Sequence, residues 1–161
     1  MTRPLLAALA LALTLPAAVG AQTAPAPGQT APAADTPPYV RTVERPIDDV
    51  TFALEEAITQ QGLVVDLTSH TGEMLARTKA DVGGTKDLFT KAEVYSFCSA
   101  KLSRQVMEAD ITAVQYCPYG IFVYETPDAP GRVTIGHRVY PGAVMAPVNA
   151  LLDSLVDAAA E

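Results

Sequence analysis

Two cysteines, Cys98 and Cys117, are the side chains in this sequence best suited to chemistry. They stand 19 positions apart, a spacing that matches neither a thioredoxin-like CxxC nor a zinc ribbon. A pair of this kind closes a disulfide, stays as buried or free thiols, or serves a metal or redox role. The compartment bears on that choice, and the N-terminus indicates it. Arg3 supplies a positive n-region, Leu5 to Leu15 an apolar h-region, and Val19 and Ala21 small residues ahead of a cleavage near Ala21-Gln22. An exported chain, periplasmic or secreted, meets oxidising conditions, so a Cys98–Cys117 disulfide is the first expectation. Closing that loop would contribute on the order of 3 kcal/mol in the chain-entropy view. Bridging needs Cα atoms within about 7 Å. If the strands flanking the intervening segment run parallel, the two cysteines fall at opposite ends of a sheet and cannot bond.

His70 and Met74 extend the metal alternative. One helical turn apart, they would join the two sulfurs in a Cys, His and Met set of soft ligands that selects Cu(I), with copper then the cofactor. The plainer readings are a surface or capping histidine after a strand and a methionine packed in a core. A hydrolytic site would need Ser96, Ser99 or Ser103 beside His70 or His137, an adjacency that spacing does not supply. His137 shares a strand face with Val133 and Ile135, the position of a satisfied core histidine. Glu108 and Asp110 have no second carboxylate cluster for general acid–base work. Gly83-Gly84 reads as a turn rather than a phosphate loop. No catalytic residue is assigned.

The elements that must position these residues follow from periodicity. Tyr39 to Val43 suits a strand. Pro46 opens a helix with Val50, Leu54, Ala57 and Ile58 on one face, Asp48 and Asp49 in its first turn, and Gly62 at its end. Leu63 to Leu67 is rich in β-formers, and a short helix covers about Gly72 to Lys79. Glu93 to Cys98 reads as a strand and Ala100 to Ala109 as a helix with Leu102, Val106 and Met107 inward. Tyr119 to Glu125 and Arg132 to Tyr140 form a hairpin around Asp128 and Pro130. Val148, Leu151, Leu152, Leu155 and Val156 give the last helix its apolar stripe. The order is β-α-β-α-β-α-β-β-α, and the hairpin rules out a purely parallel doubly wound sheet.

Composition sets the wider frame. The first 21 residues are the expected leader, and residues 22–38, almost wholly Ala, Pro, Thr, Gln and Gly, read as a disordered spacer that Pro keeps extended. Residues 39–161 form one domain. The leader's apolar run is too short to span a bilayer, no later run is expected to reach that length, and no cysteine follows the leader to mark a lipoprotein. The net charge of −7 disfavours nucleic acid and anionic membrane surfaces as partners. Absence of Trp makes a carbohydrate-stacking platform unattractive, although six tyrosines are present.

The runs Phe97-Cys98-Ser99-Ala100, Met107-Glu108-Ala109-Asp110 and Cys117-Pro118-Tyr119-Gly120-Ile121-Phe122-Val123-Tyr124-Glu125 resemble the domain-of-unknown-function 302 family, over roughly Tyr39 to Tyr140. The resemblance implies an α+β fold: a single compact domain with a curved, largely antiparallel sheet packed by helices, in a TATA-box-binding-protein-like arrangement. It implies no established activity. The chain departs from the commoner family pattern in having Cys98-Ser99-Ala100 where many members have Gly-Asn-Pro, and Cys117 where an aliphatic residue often precedes the proline. The functional expectation is a non-enzymatic module that binds a small ligand or an envelope protein and is stabilised by the cysteine pair. The alternative is a thiol-dependent copper-binding or redox accessory protein using Cys98 and Cys117.

Overall fold

Local sequence signals become elements in the order expected of them. The computed structural model describes residues 36–161; the leader, and the expected spacer as far as residue 35, lie outside the described residues. Strand β1 (Tyr39–Glu44) leads into helix α1 (Ile47–Gln60), where Val50, Leu54 and Ile58 recur every four residues and are fully buried. Asp48 and Asp49 sit in the first turn, where the helix dipole favours acidic groups. The helix ends in a Schellman closure. Gly62, at φ +71°, donates to Thr59 O at 2.9 Å and Leu63 N donates to Ile58 O at 3.2 Å, so the left-handed turn needs glycine there. Strand β2 (Val65–Ser69), helix α2 (Thr71–Thr78), strand β3 (Lys91–Phe97) and helix α3 (Ala100–Ala109) follow. A 3₁₀ turn over Ile111–Tyr116 then leads to the hairpin of β4 (Tyr119–Glu125) and β5 (Arg132–His137), and a second 3₁₀ turn precedes helix α4 (Ala146–Ala160).

The five strands form one open antiparallel sheet in the order β1-β5-β4-β3-β2. This is the α+β architecture expected from the sequence. Alternation assigns the faces: Tyr95, Phe97, Tyr119, Ile121, Val123, Val133 and Ile135 point into the core, which α1 and α4 cover. On the outer face Phe122 stacks on Tyr124 with ring centroids 6.1 Å apart. Strand β2 starts two residues later than Leu63, and a bulge between Val65 and Leu67 shifts its register, so Leu67 turns outward and Leu63 packs on the core from the preceding loop.

The expectation that no later apolar run reaches spanning length needs correction. Ala143–Ala160 has the length and, at 1.3, the mean hydropathy of a candidate membrane span. Its contacts explain that composition: Val148, Leu152, Leu155, Val156 and Ala159 are buried, and the helix packs on α1, β1 and β5. The apolar stripe is the lid of the sheet core, a role that demands the same residues as a lipid-facing surface.

Candidate functional site

Sheet register brings the two cysteines together. Cys98 immediately follows β3, and Ser99 caps α3 by accepting a hydrogen bond from Leu102 N at 3.3 Å. At the far end of α3, Asp110 accepts from Thr112 N at 2.9 Å and from Thr112 Oγ1 at 2.7 Å. These bonds hold its carboxyl below the usual range and start the 3₁₀ turn that returns the chain. Cys117 comes next, joined to Pro118 by a cis peptide bond, and Tyr119 opens β4 opposite Phe97. Since β3 and β4 are antiparallel, the chain leaves and re-enters the sheet at one end. The parallel arrangement that would have separated the cysteines does not occur.

The disulfide expected first is not formed: both cysteines are free and half-buried, close to one another but not at bonding distance. Around them lies a small polar set inside an aromatic wall. Ser103 Oγ is 3.4 Å from Cys117 Sγ and 3.0 Å from Tyr119 Oη. The Tyr140 ring lies 5.2 Å from Tyr116 and 6.0 Å from Tyr119, centroid to centroid. Burial pushes the Cys98 thiol up to about 12; the hydrogen bond and proximity of Cys117 and the charge of Asp66 push the same way, opposed by the Tyr119 backbone N–H. Burial also raises the Tyr119 and Tyr140 phenols. Cys98 therefore carries its proton at neutral pH and is a poor nucleophile unless something removes that proton.

The other sequence candidates do not join this group. His70 stands at the N-cap position of α2, at the opposite end of β3, where its Nδ1 bonds Glu93 Oε1 at 2.9 Å rather than the helix backbone. Its neighbour Ser69 pairs with Val94, four residues before Cys98, a separation of about 13 Å along a strand. Met74 stands exposed on α2. The four-residue copper set is therefore not assembled, because antiparallel pairing of β2 with β3 carries its His and Met to the wrong end of the sheet. Among the described residues no group of three or more His, Cys, Asp or Glu is placed to hold a metal. His137 is the satisfied core residue expected, fully buried with Nδ1 2.8 Å from Arg138 O and Nε2 2.7 Å from Asp153 Oδ1. Neither histidine hydrogen-bonds a serine among the described residues.

Sequence reasoning named Ser103 only as a nucleophile and did not find its part between Cys117 and Tyr119. The signal was present in the strand pattern, since pairing Phe97 with Tyr119 puts that tyrosine beside both cysteines. Asp66 and Tyr140 had no comparable signal, because both reach the pair through tertiary packing.

Comparison with known proteins agrees with this architecture. Residues 39–160 match a family model described as the domain of unknown function DUF302. A similar solved structure is the crystal structure of an uncharacterized conserved protein, DUF302, from Bacillus stearothermophilus, 18% identical with a TM-score of 0.56. The match covers 76% of this chain and 94% of that one. At that identity the likeness is one of fold. No curated protein matches the chain.

Proposed function

The chain belongs to the family of the domain of unknown function DUF302, and on that footing we propose that it is an exported, non-enzymatic binding module whose ligand-taking group is the Cys98–Cys117 thiol pair. The ligand that suits this pair is a soft monovalent cation of the Cu(I) class. The observation that carries the reading is the juxtaposition of two unbonded thiols at one sheet end, 19 residues apart in sequence. Thiolates prefer soft cations, and a cation that displaces both thiol protons removes the penalty that keeps Cys98 protonated. Export rests on the leader sequence and supplies a compartment in which such a cation must be handled. Ser103 Oγ, 3.4 Å from Cys117 Sγ, and the buried Tyr119 and Tyr140 rings beside the pair form a supporting shell of the kind that tunes metal sites.

The experiment is a competition titration of reduced protein, purified from cells expressing the full chain, against a chromophoric Cu(I) chelator under anaerobic conditions. One equivalent should be withdrawn from the chelator. Cys98→Ser and Cys117→Ser should each lose that uptake by at least about tenfold while keeping the wild-type circular dichroism. Uptake that survives both substitutions would refute the reading.

The closeness of the sulfurs favours one second reading, a reversible disulfide. An exported disulfide donor would accept two electrons and two protons from the pair, forming the Cys98–Cys117 bond and leaving the donor as a dithiol. The product would be the stapled module first expected from the sequence, stabilised by about 3 kcal/mol.

A further inference from the structure

The stretch from Lys79 to Thr90 joins α2 to β3 without helix or strand, and connections of about 12 residues or more inside a compact domain are uncommon unless they serve a function. This one is anchored. Gly84 N donates to Lys79 O at 2.7 Å, the Phe89 ring sits edge-on to Tyr124 at 5.6 Å, and Thr90 N donates to Glu125 O at 2.9 Å. The close return leaves little room at Gly84, where a Cβ would lie 2.9 Å from Lys79 Cγ and 3.0 Å from Lys79 O. Between these anchors the loop stands off α2 and leaves a cleft of about 290 Å³.

The walls of the cleft are mostly apolar. Leu75 and Ala76 come from α2, and Val82, Leu88 and Phe89 from the loop. Val82 and Leu88 remain 76% and 55% exposed, large apolar side chains left uncovered on one wall. Charge enters through Lys79, Lys86 and Asp87. Lys79 Nζ pairs with Asp87 Oδ1 at 2.8 Å, whereas Lys86 has no ion-pair partner among the described residues. The lining thus carries an uncompensated positive charge on a protein whose net charge is −7. A volume of this size holds about ten water-sized groups. It lies near the start of β3, a strand length of about 23 Å from the cysteines.

We propose that this cleft is a binding site for a small apolar monocarboxylate of about ten non-hydrogen atoms. The chain of the ligand lies against Leu75, Val82, Leu88 and Phe89, and its carboxylate meets the Lys86 ammonium. The site is separate from the thiol pair and does not depend on it.

The test is a titration of isotopically labelled protein, purified from cells expressing the full chain, with octanoate followed by amide chemical shifts, and a parallel titration with octanol. Octanoate should saturate a single site, with the largest shifts in Leu75, Val82, Leu88 and Phe89. Lys86→Glu should weaken octanoate by about tenfold or more and leave octanol within about twofold. Ala76→Phe, on an exposed helix position, should fill the cleft and abolish both. Shifts that do not saturate, shifts centred elsewhere, or octanoate binding unchanged in Lys86→Glu would overturn the proposal.

Discussion

Cys98 retains its proton because burial, the Cys117 thiol and the Asp66 carboxylate all oppose a thiolate there. The consequence for stability has a definite sign. Folding raises this thiol from 9.0 to about 12, so between those values the unfolded chain has lost a proton that the folded chain still holds. Cys98 therefore supports the fold fully below about pH 9, and its support is lost as pH rises towards 12. The melting temperature of the reduced protein should fall over that window, and Cys98→Ser should flatten part of the fall. An unchanged slope in the variant would exclude Cys98 as a source. Ser103 matters for a different reason. Its hydroxyl is the partner of the buried Tyr119 phenol, so Ser103→Ala should cost about 1–3 kcal/mol in urea denaturation. A loss below a few tenths of a kcal/mol would mean that Tyr119 finds another partner.

Elements set where these residues can meet. The sequence made the hairpin and the last helix plain, because two runs rich in β-branched and aromatic residues flank the Asp128–Pro130 turn, and an apolar stripe over Val148–Val156 has helical period. The start of β2 was less plain: Leu63 satisfies both a strand pattern and a loop residue packed on the core, and the Val65/Leu67 bulge breaks the alternation that would have marked the boundary. Two substitutions test the elements themselves. Ser99→Ala removes the cap of α3 beside Cys98 and should cost about 1 kcal/mol by chemical denaturation. Leu152→Ala opens a cavity beneath the sheet, where the side chain is fully buried, and should cost about 2–5 kcal/mol. A Leu152→Ala protein as stable as wild type would contradict the packing of α4 on the sheet.

At the scale of the whole molecule, the antiparallel topology decides which chemistry is available. Cys98 and Cys117 flank a helix and a 3₁₀ turn, and only because β3 and β4 run in opposite directions does that excursion end where it began. The same topology sends His70 and Met74 to the other end of β3, beside the cleft rather than the thiols. Residue types and elements could be read from the sequence, but the site could not, because strand register and direction are tertiary facts that neither spacing nor composition encodes. The two cysteines meet because both flank one excursion from the same sheet end; His70 and Met74 do not join them, because antiparallel pairing of β2 with β3 leaves α2 and its N-cap at the other end of β3.

Cys98 and Cys117 acting as one site have a signature in the intact mass of the protein. Protein purified from cells expressing the full chain is reduced, incubated anaerobically with and without Cu(I), challenged with an alkylating agent, and weighed under native and denaturing conditions. Two alkylatable thiols are expected without copper, and one copper adduct with both thiols protected when copper is present. Both thiols alkylated at an unchanged rate in the presence of Cu(I), with no copper adduct, would rule out a shared site.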